Sequence, residues 1–141
     1  MVAGLIPILL VRRHVVYADW LRFSLPVLAV GGIALLWCVR DFYVSGRGTL
    51  APWDPPKRLV VVGLYHFVRN PMYMAVIAIL VGWSLLYRSE VLALYAAVVA
   101  IVFHLRVLLH EEPWLRRQFG ADWDHYAARV PRWWPIGFPP R

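Results

Sequence analysis

Along the chain, charged residues cluster and leave long apolar runs between them. Residues 23–39 carry no charge and end at Arg40; residues 71–87 carry none and end at Arg88; residues 91–109 are interrupted only by His104 and Arg106. At ~1.5 Å per residue, a run of about 17 covers ~25 Å, near the lower limit for crossing a bilayer. Backbone groups in lipid must bond within their own segment, so runs this apolar are predicted as helices. The expected fold class is therefore an all-α integral membrane protein with three main transmembrane helices, at about 23–39, 71–87 and 91–109. The opening segment differs. Ten apolar residues around Pro7 precede Arg12 and Arg13, too few to span. With no basic residue before them and no clean small-residue cleavage site after, they make a poor signal peptide. A re-entrant or interfacial segment is expected, or the tail of a helix that starts earlier.

The link Arg88-Ser89-Glu90 is so short that the second and third spans must form an antiparallel hairpin. Their far ends, 65–73 and 106–112, are then predicted to meet at one membrane surface. Beyond them, Pro113 disfavours helical geometry at Glu112, so a bend is expected there. Residues 113–119 read as a helix stopped by Gly120. Residues 122–130 read as another, with Trp123, Tyr126 and Val130 on one side and Trp133-Trp134-Pro135 anchoring the end at the interface. Between the first two spans, the glycines and prolines from Ser45 to Pro56 prescribe a defined loop. The chain reads as one domain: an N-terminal segment 1–22, a loop 40–70, and a tail 110–141.

Composition supports the membrane reading. Of 141 residues, 61% are hydrophobic and 16% charged, against about 25% charged in an ordinary soluble domain; mean hydropathy is +0.58. Disorder needs the opposite balance. The net charge of +7 is explained by location. Arg40, Arg47, Lys57, Arg58 and Arg69 fall in one loop, and Arg116, Arg117, Arg129, Arg132 and Arg141 in the tail. Both segments then belong on the cytoplasmic side, and no nucleic-acid partner is required. Three spans put the N-terminus outside, where Arg12, Arg13 and Arg22 run against the same rule. The single cysteine, Cys38, excludes a disulfide within the chain and sits in an apolar run, where it packs as a small hydrophobe.

Two polar groups fall at the surface where the hairpin ends meet. In Tyr65-His66-Phe67-Val68-Arg69-Asn70-Pro71-Met72-Tyr73, Pro71 suits the first turn of a helix and Asn70 its N-cap. Arg69 beside that helix start offers a planar donor fork for a carboxylate or phosphate; a capped helix with interfacial Arg and Tyr is the plainer reading. In the second group, His104 and Glu111 are seven apart and Arg106 and His110 four apart, so each pair shares a face. A snorkelling Arg and a helix end is the plainer reading, but the doublet Glu111-Glu112 at a helix C-terminal end opposes the macrodipole and repels itself, costs that a cationic partner would offset. His-Glu-Glu lacks the two histidines four apart of a zinc helix, and no metal is expected.

These residues resemble a known family. Gly63-Leu64-Tyr65, then Arg69-Asn70-Pro71-Met72-Tyr73, then Glu111-Glu112, then Phe119-Gly120, Tyr126, Val130-Pro131-Arg132 and Pro135 are similar in order and spacing to the isoprenylcysteine carboxyl methyltransferase family and the related phospholipid N-methyltransferases. The stretch Gly48 to Pro56 resembles a bacterial branch. The resemblance implies an integral-membrane methyltransferase using S-adenosyl-L-methionine, with its pocket at the cytoplasmic end of the hairpin, the tail folded over it, and a lipid or lipophilic acceptor entering from the bilayer. It implies a bacterial inner-membrane location. Carried over residue by residue, it assigns cofactor binding to Tyr65, Arg69, Asn70, Pro71, Tyr73, His110, Glu111, Glu112, Tyr126, Arg129 and Arg132, and catalysis to Arg69, Glu112 and His110. Arg69 would take the cofactor carboxylate, Glu111 or Glu112 its ammonium or hydroxyls, and an aromatic its adenine or sulfonium. An amine or phenol acceptor would need a base, for which His66 and His110 are candidates. Two departures stand out: many relatives have His where this chain has Asn70, and relatives begin with at least one more span. Two other readings share the outline: an NADPH-dependent sterol or enone-type reductase, and a non-catalytic membrane scaffold or lipid-binding protein.

Overall fold

Long apolar runs fold as helices, and the computed structural model shows this over the residues it describes, which are 7, 18–46 and 59–134. Helix α1 is Ala18–Gly46, α2 is Pro71–Tyr87 and α3 is Glu90–Arg106; α4, Glu112–Phe119, and α5, Ala121–Arg129, form the tail. No strand occurs among the described residues. The predicted bounds of α2 hold as drawn. The first helix is longer than its apolar run at both ends, because Asp19 and Arg22 open it and Arg40 and Asp41 sit inside it, none of them a breaker. Pro26 lies within α1. Asp19–Ser45 and Glu90–Phe119 are long and apolar enough to cross a membrane, and α2 is a shorter apolar helix. The opening segment apart from Pro7, the loop around Gly48 to Pro56, and Pro135 lie outside the described residues.

One expectation fails. Pro113 does not bend the chain: Glu112 is helical, at φ −63° and ψ −44°, and helix runs from Glu90 to Phe119. A π turn, Val107–Glu111, absorbs the proline instead. The Glu112 N–H bonds five residues back, to the Val107 carbonyl, which widens the turn that proline would otherwise clash with. Gly120 ends α4 at φ +52° as its N–H caps the Arg116 carbonyl.

Contacts gather the chain into two units, Met1–Ile33 with Tyr73–His104, and Ala34–Met72 with Leu105–Arg141. In the first, Leu80, Ala96 and Val99 form a core, flanked by Val76, Tyr95 and Phe103. Close approach of α1 and α2 depends on glycine: a Cβ on Gly82 would lie 2.7 Å from the Leu28 side chain, and one on Gly31 2.9 Å from Ile79. The hairpin turns at Arg88-Ser89. The Ser89 hydroxyl oxygen caps α3 by accepting the Leu92 N–H, a cap that fixes where the helix begins.

The second unit holds the far end of α1, the segment 59–72, and the tail. A short 3₁₀ turn, Gly63–His66, is set by Gly63 at φ +58°. Its Cα lies against Asp41 of α1: a Cβ there would run into the Asp41 Oδ2. Among the described residues, three hydrogen bonds join residues 126–132 of the tail to this segment. The Arg69 N–H donates to the Pro131 carbonyl at 2.9 Å, the Asn70 amide to the Arg132 carbonyl at 3.1 Å, and the Tyr126 hydroxyl to the Tyr65 carbonyl at 2.6 Å.

Candidate functional site

The site is built on those three bonds. They hold Arg132 and α5 against the start of α2, and the π turn delivers Glu112 to the same place. Glu112 accepts a two-pronged pair from Arg132, at 2.8 and 2.7 Å, and an ion pair from Arg69 at 3.0 Å. Side-chain exposures of 13% for Arg69 and 16% for Glu112 place the pair well away from solvent, where such bonds are strong. Trp123, buried, lies beneath Arg69, whose guanidinium carbon is 5.7 Å from the ring centre. Two guanidiniums on one carboxylate leave a net positive charge. The Arg69 Nε is also buried, with no hydrogen-bond partner among the described residues.

Burial pulls the Arg69 guanidinium below its ordinary value, Glu112 acting the other way. Hydrogen bonding to Glu112 raises Arg132. Burial pushes the Tyr126 phenol well up, against the pull of Arg69. The phenol ionises near pH 10 in an unfolded chain and higher in the folded one. Between those points the unfolded state has lost a proton that the folded state keeps, so stability, full below pH ~10, falls as pH rises beyond it. Tyr126→Phe should flatten that alkaline decline in pH-dependent thermal unfolding, and should cost about 1 kcal/mol at neutral pH through the lost hydrogen bond.

Of the predicted site residues, Tyr65, Arg69, Asn70, Glu112, Tyr126 and Arg132 come together, and Pro71 is buried beside them as the first residue of α2. The others go elsewhere. Glu111 pairs with Arg106 at 2.8 Å. His110 and Arg129 are exposed, and His66 meets the Val61 carbonyl through Nδ1. Tyr73 belongs to the other unit, where it stacks on Phe103 at 4.3 Å. The pairing of Arg106 with His110 at four residues is replaced by Arg106 with Glu111 at five, because the π turn adds a residue to that turn. The glutamate doublet is split in the same way, Glu111 taking Arg106 and Glu112 taking both Arg69 and Arg132. The cations that offset the doublet are supplied by the protein.

Two residues here were not singled out by sequence. Trp123 was placed only on the apolar side of its helix; nothing in the spacing told that Arg69 would sit above it. Asp41 read as the start of a loop. With α1 running on to Gly46 it is buried, and its Oδ2 has no partner among the described residues.

The model of the phospholipid methyltransferase family matches residues 22–122. The chain belongs to that family. Arg69, Glu111 and Glu112 fall inside the matched region, whereas Tyr126 and Arg132 lie beyond it. Among curated proteins, the chain is 32% identical over 74 residues to protein-S-isoprenylcysteine O-methyltransferase B of Arabidopsis thaliana, covering 52% of this chain and 38% of that protein. It is 30% identical over 84 residues to the delta(14)-sterol reductase LBR of Gallus gallus, covering 57% of this chain and 13% of that protein. The matched segment thus spans less than half of either relative. No solved structure matches.

Proposed function

We propose that the chain is a membrane methyltransferase that uses S-adenosyl-L-methionine and acts on a lipid or lipophilic small molecule, by carboxyl O-methylation or amine N-methylation. The observation that carries this reading is the Arg69 guanidinium: largely shielded, braced by Glu112 and Trp123, its buried Nε without a partner among the described residues, in a cluster of net positive charge. That donor set fits the carboxylate end of the cofactor, which supplies, when bound, a methyl group on a cationic sulfur. Arg69 holds the carboxylate, and Glu112 and Arg132 keep Arg69 from swinging out. Tyr65 and Tyr126 tie the tail down beside it, so that water is kept from the site. Position and exclusion of water are most of what such a displacement needs. A carboxylate acceptor needs no base. An amine acceptor would need a base, and His110, the candidate on the π turn, is exposed and stands outside this cluster. The basic loop and tail support a reading in which this face is on the cytoplasmic side.

The partial similarity to a sterol reductase favours a second reading, a nicotinamide-dependent reductase. Titration of detergent-purified protein with S-adenosylhomocysteine and, separately, NADPH decides between them. Binding of the first is expected, weakened in Arg69→Ala by ~1.5–3 kcal/mol, the range for a charge-assisted hydrogen bond. NADPH binding alone would favour the reductase. Binding of neither would point to the non-catalytic scaffold, and unchanged affinity in Arg69→Ala would remove Arg69 from the pocket.

A further inference from the structure

The wide turn between α3 and α4 puts two adjacent carboxylates to different uses. Glu111 pairs with Arg106 and its side chain is 31% exposed; Glu112 pairs with Arg69 and Arg132 and is 16% exposed. In an α-helix successive residues stand about 100° apart around the axis, so only one of the two can face Arg69. The turn Val107–Glu111 bonds five residues back instead of four and so holds one residue more than an α turn. Every residue after it is set back by one position. Glu112 therefore stands where Glu111 would stand in an unbroken α-helix.

What keeps the turn wide is local. Unbroken α geometry would leave the Leu109 carbonyl facing residue 113 for an N–H that proline lacks, and would drive the Pro113 ring against that carbonyl. In the wide form Pro113 is the second residue of α4, where a helix start does not need its N–H. The hydrogen bonds that pin the tail, by contrast, involve residues 126 to 132, beyond the stop at Gly120. The buried Val107 anchors the turn at its other end. The Arg106 pairing reports the same register: its Nε donates to Glu111, five residues on, at 2.8 Å, whereas α spacing would bring His110 to it.

We propose that Pro113 is a positioning residue for the candidate site: by excluding the α form of the turn it assigns Glu112, and not Glu111, to Arg69. Two carboxylates side by side give the chain two registers, and the proline admits one of them. Removing it lets the turn take the α form, which carries Glu112 about 100° away and brings Glu111 to Arg69. The assignment of charges stands on the turn alone. Its effect on a ligand rests on the reading, given above, that Arg69 holds the cofactor carboxylate.

The test compares Glu111→Gln and Glu112→Gln in the native chain and in Pro113→Ala, each with and without Arg69→Met, by thermal unfolding of the full chain in mild detergent. In the native chain the coupling to Arg69 is expected with Glu112; in Pro113→Ala it should pass to Glu111. Affinity for S-adenosylhomocysteine should follow. Glu112→Gln should weaken it about tenfold in the native chain, the loss of one charge-assisted bond made by Arg69, and Glu111→Gln should do so in Pro113→Ala. Pro113→Gln, which supplies the same N–H, should behave as Pro113→Ala. Deleting Leu109, an exposed residue, from the Pro113→Ala chain takes the extra residue out of the turn and should return the coupling to Glu112. Coupling that stays with Glu112 in Pro113→Ala and Pro113→Gln would overturn the proposal, as would a deletion that fails to return it. Coupling that passes to Glu111 with no binding of S-adenosylhomocysteine in any variant would uphold the positioning role and overturn the cofactor reading.

Discussion

Glu112→Gln is expected to lower stability by about 3 kcal/mol. Removing one member of a buried ion pair typically costs ~3–5 kcal/mol, because the charge left behind has lost both water and partner. Here two charges are left behind. Arg69 and Arg132 share Glu112; burial lowers the Arg69 guanidinium most, and repulsion from Arg132 adds to it. Glutamine keeps one acceptor oxygen, which sets the expectation at the lower end. Chemical unfolding in mild detergent measures it. The double variant Glu112→Gln with Arg132→Met should recover part of the loss, since it removes the repulsion as well as the attraction. A loss below ~1 kcal/mol, the level of an exposed pair, would mean that solvent screens the cluster. On the proposed function, the same variant should also weaken S-adenosylhomocysteine binding, because Glu112 braces Arg69.

Gly63→Ala should have an effect of similar size for a different reason. The φ of +58° costs a residue with a Cβ ~1–2 kcal/mol. That Cβ would also run into the buried Asp41 carboxylate, and forcing an atom into a packed position adds ~1–3 kcal/mol. About 3 kcal/mol is the expected sum. Gly120→Ala is the control. Gly120 has a similar φ of +52°, but nothing lies within 4 Å of an added Cβ, so only the backbone cost remains. Equal losses in the two variants would show that Asp41 yields freely. Because the Gly63 turn presents the Tyr65 carbonyl to Tyr126, Gly63→Ala should also loosen the tail, seen as faster amide exchange in α5, which Gly120→Ala should not reproduce through Tyr65.

Much of the helical framework was legible in the chain. Residues 71–87 are uniformly apolar between Pro71 and the Arg88 turn, so both bounds of α2 follow from local chemistry. Gly120 was legible as a stop, since a left-handed residue there needs no long-range support. Trp123, Tyr126 and Val130 were legible as one face because helical spacing puts them there. The meeting of 69 with 112 followed from the three-residue hairpin link, which leaves the two helix ends little choice.

What the amino-acid order could not specify is which charge meets which. Whether Glu111 or Glu112 faces Arg69 depends on one extra residue in a single helical turn. The π turn that provides it is a compromise between Pro113 and the bonds pinning the tail to residues 65–70. Those bonds, Asn70 to Arg132 and Tyr126 to Tyr65, join positions about sixty apart, where no periodicity reaches. The same holds for Trp123 under Arg69 and for Asp41 against Gly63. The sequence by itself determined the helices and the end of the hairpin at which the paired charges gather, because apolar runs, caps and stops act within a few residues. The tertiary structure alone decided the partners of each buried charge, because in a medium that cannot solvate it a charge takes whichever counterion the packing brings within reach.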